Sequence, residues 1–138
     1  MFRRSGRGSR LEAVAAGWGG VVAAIGLMVG VGRDWPVRLA LVGLGFLVGG
    51  FLAGVRAGSN RMRHALAAAV AGFLLYAAFV TLAWVAHAIG SAPEPPDLVP
   101  GGAGEPLVTA AWAVLAALVG GAAAQAALRP SGSSRLGR

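Results

Sequence analysis

Four long apolar segments, separated by shorter polar ones, form the dominant pattern of this sequence. The apolar segments cover about residues 12–32, 36–57, 64–90 and 107–128. A helix of about 20 residues is about 30 Å long, which matches the hydrocarbon core of a bilayer. The pattern predicts an all-α polytopic membrane protein with four transmembrane helices in an up-down bundle.

The polar segments divide the chain into a membrane domain and two tails. Residues 1–10 and 130–138 are rich in Arg, Ser and Gly, and we expect disordered basic tails there, flanking a transmembrane domain at 11–129. A basic start before an apolar run also describes a secretory signal. The first run is longer than a typical signal core and three more follow, which favours an uncleaved signal anchor.

Composition supports a membrane location. Hydrophobic residues make up 57% of the chain, charged residues only 12%, and the mean hydropathy is +0.71. The absence of cysteine excludes disulfides, thiolate metal sites and a cysteine nucleophile. A pI near 11.9 would suggest nucleic acid for a soluble chain, but here the arginines cluster at the ends of apolar segments. We therefore expect these arginines to interact with the lipid bilayer and not with nucleic acid.

The distribution of arginine predicts the orientation. Four arginines lie in the N-terminal tail, three around the second loop and three near the C-terminus, against two in the first loop and none in the long proline-rich third loop. Positive charge is retained on the cytoplasmic side of membranes. We expect a multi-pass protein of the plasma or inner membrane with both termini in the cytoplasm.

Small residues recur four positions apart, which is the spacing by which membrane helices bring their backbones close. The second segment should turn a bulky face to lipid and a glycine face to a neighbouring helix. Its glycines lie level with small residues of the third segment, which predicts a closely packed hairpin of these two helices. The predicted helix-packing residues are Gly43, Gly45, Gly49, Gly50, Gly54, Gly58, Ala68, Gly72, Ala117, Gly120 and Gly121.

Few residues could carry chemistry within the membrane. The candidate intramembrane polar residues are Glu12, Tyr76, Thr81, His87 and Gln125. Glu12 could serve a proton-coupled transporter, but its place at the start of a segment favours an interfacial acid stabilised by the helix dipole. Thr81 and Gln125 can bridge helices by hydrogen bonds or line a polar path.

No catalytic residue, metal site or cofactor is predicted. His64 and His87 are the two histidines, and about 34 Å of helix separates them, so they cannot share a metal. No Ser/His/Asp arrangement or pair of carboxylates lies within the apolar segments.

The region 49–75, GGFLAGVRAGSNRMRHALAAAVAGFLL, resembles a family of small four-span bacterial membrane proteins. The middle of that family reads roughly GGFxAGxxAG, a short turn, then HGAxxG. This chain has Ala65 where the family tends to have glycine after the histidine. The resemblance implies the same four-helix fold and no assigned activity.

Two classes of function follow from these features. The first is a non-enzymatic structural or accessory membrane protein that forms a homo-oligomer or joins a larger membrane complex through its small-residue faces. The alternative is a small transporter or channel working as an oligomer, which would need polar groups on a shared interior face. The lack of candidate acids, bases and metal ligands at membrane depth argues against an enzyme.

Overall fold

The computed structural model describes residues 6–57, 60–93 and 105–128, with side chains described from residue 13 onward. These residues form no strand and four helices: α1 (Gly6–Gly30), α2 (Trp35–Arg56), α3 (Arg61–Ala88) and α4 (Glu105–Ala127). All four are long and apolar enough to cross a membrane. The predicted all-α fold is confirmed, and the chain is a multi-pass membrane protein.

The helices end where the local sequence disfavours helical backbone. Gly32 and Gly90, just after α1 and α3, have φ of +69° and +72°, which glycine adopts without the strain of a Cβ. Pro36 lies in the first turn of α2, where a missing N–H removes no helical hydrogen bond. The connection 31–34 therefore reverses the chain in a few residues.

The prediction of a disordered tail over 1–10 is wrong for its second half. Residues 6–10 are helical and belong to α1. Arginine is a good helix former, and extending an existing helix costs far less than starting one, so the apolar segment propagates its helix into the basic sequence. Residues 1–5 and 130–138 lie outside the described residues.

The four helices pack in the cyclic order α1, α2, α4, α3. Helices α2 and α3 lie on the short diagonal and contact each other, whereas α1 and α4 make no contact within the described part of the chain. Close contacts give the directions: Gly26 of α1 meets Gly45 of α2, and Gly19 meets Gly49, so these helices are antiparallel. The result is an up-down bundle in which α2 contacts every other helix.

The predicted close hairpin of α2 and α3 is wrong. Their contact is much less extensive than those of α2 with α1 and α4, and Gly50 and Gly54 face α4. Two aromatic rings explain the difference, because Phe46 of α2 and Phe73 of α3 meet with centroids 4.9 Å apart. Rings of this size hold two backbones apart, whereas the glycines of α2 admit the α4 backbone.

Alanine and a few larger side chains fill the centre of the bundle. Phe46 and Val42 of α2 are the largest fully buried side chains, and Phe73 and Tyr76 of α3 pack against the cluster around them. Leu44, by contrast, is 61% exposed on the opposite side of α2. The helix thus buries its glycine face together with Val42 and Phe46, and it leaves another bulky apolar face for lipid.

Candidate functional site

The contact between α2 and α4 is made by backbone rather than by side chains. A Cβ on Gly50 would collide with the carbonyl oxygen of Ala117, and a Cβ on Gly120 with that of Leu47. Further along, a Cβ on Gly54 would stand 2.9 Å from the Cβ of Ala124. Only residues without a side chain allow two parallel helices to approach this closely.

Helix α1 meets α2 in the same way. A Cβ on Gly45 would lie 2.8 Å from the Cα of Gly26, and a Cβ on Gly49 would collide with the carbonyl oxygen of Gly19. Both sides of the contact are therefore glycine. Small residues at 19 and 26 are seven positions apart, a spacing that keeps them on one helix face.

Helix α3 contributes small residues to contacts with both α1 and α4. A Cβ on Gly72 would lie 2.8 Å from that of Ala23, and one on Gly19 would lie 2.9 Å from that of Ala68. Gly121 of α4 faces Ala65, and a Cβ on Gly121 would lie 2.7 Å from the Cβ of Ala65. Gly58 lies outside the described residues; the other predicted packing residues all lie at contacts between helices.

Gly43 accommodates a tryptophan instead of a backbone. A Cβ at this position would stand 2.6 Å from Nε1 of Trp112, and the same Nε1 donates a hydrogen bond of 2.9 Å to the carbonyl oxygen of Leu39. A large α4 side chain thus lies in a notch of α2 with its only polar atom satisfied.

The predicted polar residues whose side chains the structure describes do not converge on one site. Thr81 is exposed and donates to the carbonyl of Ala77 in its own helix. His87 lies beyond it at the far end of α3, with Nδ1 3.3 Å from the carbonyl oxygen of Ala92 and its ring edge-on to Trp84. Gln125 is exposed near the end of α4, and the side chain of Glu12 lies outside the described residues. Among the four predicted polar residues with described side chains, Tyr76 alone packs against the central cluster.

Sequence reasoning missed two polar atoms inside the bundle. The Nε of Arg38 and the Oγ1 of Thr109 are buried and have no hydrogen-bond partner in the structure. Arg38 lies close enough to Tyr76 to interact with it electrostatically and packs its Cγ toward Gly30. Arg38 is one of the two arginines predicted in the first loop, whereas the structure places it in α2. Its position four residues from Asp34, just after Pro36, was the available signal that it belongs to the first turn of α2.

Arg61 links the second connection to the end of α4. Its Nη1 donates to the carbonyl oxygen of Ala124 at 3.2 Å. That carbonyl lies in the last turn of α4 and also accepts a hydrogen bond from the backbone N–H of Leu128. A cation is favoured there by the helix dipole. This arginine therefore stabilises the bundle in addition to any effect on orientation.

The described side chains contain no group of three or more His, Cys, Asp or Glu residues placed to hold a metal ion. Comparison with known proteins adds no relative: no family model, curated protein or solved structure matches the chain. The family resemblance of residues 49–75 therefore stays a prediction, and the function must be argued from the bundle itself.

Proposed function

We propose that this chain is a non-enzymatic structural or accessory membrane protein that associates with a second copy or with a larger membrane complex. The supporting observation is the uneven burial of α3. All of its fully buried residues lie in its first half, at Ala65, Ala68, Ala69 and Gly72. From Phe73 onward, no residue of α3 is fully buried by the other described helices.

The exposed half of α3 has the composition of a helix contact. Leu82 and Val85 are 68% and 52% exposed, and Trp84 is 48% exposed. Ala77 and Thr81 lie between the large residues, four positions apart, the small-residue spacing that favours close approach of another helix. The small faces of α1, α2 and α4 are used within the bundle, so this surface is the best remaining candidate for association.

Photo-crosslinking in native membranes tests this proposal. A photoreactive residue at Leu82 should give one dominant protein adduct, either a dimer of this chain or one defined membrane partner. Leu44, which is 61% exposed on α2, is the matched control and should give lipid adducts only. Lipid adducts alone at both positions would contradict association through α3.

The oligomeric transporter or channel remains the second candidate, because Arg38 and Thr109 place unpartnered polar atoms within the bundle. Polar groups of this kind line paths for ions and solutes. Purified protein in liposomes should nevertheless show proton and ion flux no greater than empty liposomes, since backbone contacts close the bundle. Saturable flux that is lost in Thr109→Val or Arg38→Gln would favour the transporter.

A further inference from the structure

A shallow groove runs along the outer surface of α3 at the end of the bundle where this helix begins. Its volume is about 470 Å³. Its lining is almost wholly apolar apart from one end, and consists of Arg63, Leu66, Ala67, Val70, Ala71 and Leu74.

The length of the groove matches one leaflet of a bilayer. Leu74 lies eleven positions after Arg63, which is about 16 Å along an α-helix. Half of the hydrocarbon core is about 15 Å thick. A lipid acyl chain lying in the groove would therefore reach from the level of the headgroups to the middle of the membrane.

The charge of Arg63, at the end of the groove nearest the start of α3, is not neutralised by the protein's described side chains. Arg63 is exposed and forms no ion pair with a described residue, whereas Arg61 beside it is engaged by the carbonyl of Ala124. The two acids with described side chains, Asp34 and Glu105, lie at the starts of α2 and α4, at the other end of the bundle. An anion is thus the complementary ligand for Arg63.

We infer that this groove binds an anionic phospholipid, with one acyl chain along Leu66, Val70 and Leu74 and the phosphate beside Arg63. The arginine lies in the first turn of α3, and helical side chains point toward the helix start, so its guanidinium reaches toward the headgroups. Electrostatic attraction then adds to burial of the acyl chain in selecting the lipid.

Native mass spectrometry of detergent-purified protein titrated with phosphatidylglycerol or phosphatidylcholine tests this inference. Wild-type protein should bind phosphatidylglycerol more tightly. Arg63→Gln should weaken that binding about fivefold, the factor that corresponds to about 1 kcal/mol per arginine. Arg33→Gln, an exposed arginine at the opposite end, should leave it unchanged. An unchanged lipid preference in Arg63→Gln would overturn the inference.

A second pair of variants tests the groove itself. Ala67→Phe places a ring among the lining residues and should reduce binding of both lipids, whereas Ala122→Phe, at an exposed alanine of α4, should not. Both positions are exposed, so the variants should fold, which the thermal midpoint verifies. Undiminished lipid binding in Ala67→Phe would contradict a phospholipid site. A photoreactive residue at position 67 that crosslinks to a protein instead of a lipid would contradict it as well.

Discussion

Gly50 of α2 lies directly against the backbone of Ala117 of α4, so that a Cβ on Gly50 would collide with the Ala117 carbonyl oxygen. Backbone cannot move aside as a flexible side chain can. The two helices must therefore separate to admit even one methyl group, and contacts on either side of Gly50 would be lost with it.

Gly50→Ala should lower the thermal midpoint of the detergent-solubilised protein by several degrees, since overpacking typically costs about 1–3 kcal/mol. Gly17→Ala is the matched control, because a Cβ at Gly17 meets nothing within 4 Å. That variant should be neutral or slightly stabilising, as alanine is the better helix former. Equal destabilisation by the two substitutions would contradict the assigned contact.

Trp112 and Gly43 should be coupled energetically. Gly43→Ala displaces the indole and breaks its hydrogen bond to Leu39, so we expect a loss of about 1–3 kcal/mol. In a Trp112→Ala background the obstructing ring is gone, and Gly43→Ala should then cost almost nothing. A double-mutant cycle by thermal unfolding measures this coupling. Additive effects would mean that the ring does not occupy the notch.

The orientation inferred from arginine is open to a reporter experiment. A reporter that is active only in the cytoplasm should give signal when fused after Arg138 and none when inserted near Gly102. The physical reason is that ten of the twelve arginines belong to the predicted cytoplasmic side. The reverse pattern of signals would overturn the predicted topology.

The helices were predictable from the sequence because hydropathy and length alone determine which segments can cross a bilayer. The glycine face of α2 was also predictable, since its spacing places Gly43, Gly50 and Gly54 on one side. The sequence did not predict which helix that face meets. Small residues permit close approach by any neighbour, and the choice of α4 depends on Phe46 and Phe73 keeping α3 at a distance.

The candidate site was less predictable than the fold. Gly19 and Gly26 of α1 were not predicted, because the prediction rested on small residues four positions apart, whereas these two contact glycines lie seven positions apart. The sequence could place Arg38 in α2, but it could not show that Arg38 and Thr109 have buried polar atoms, since a buried polar atom is recognised only when its surroundings are known.

Disulfide crosslinking in native membranes tests the packing of α2 against α4, on which the rest of the account depends. The natural chain lacks cysteine, so an introduced pair reacts without background. Gly54→Cys with Ala124→Cys places two Cβ atoms about 2.9 Å apart before relaxation, and a small shift brings them into the disulfide range of about 3.5–4.5 Å. Val21→Cys with Leu115→Cys, exposed on helices that do not touch, is the control.

The thiols that remain after mild oxidation are counted by the gel shift that a polyethylene glycol maleimide produces. We predict that the pair at 54 and 124 loses its thiols rapidly, while the pair at 21 and 115 keeps both. Free thiols at 54 and 124, or equal oxidation of the two pairs, would contradict the helix arrangement described above.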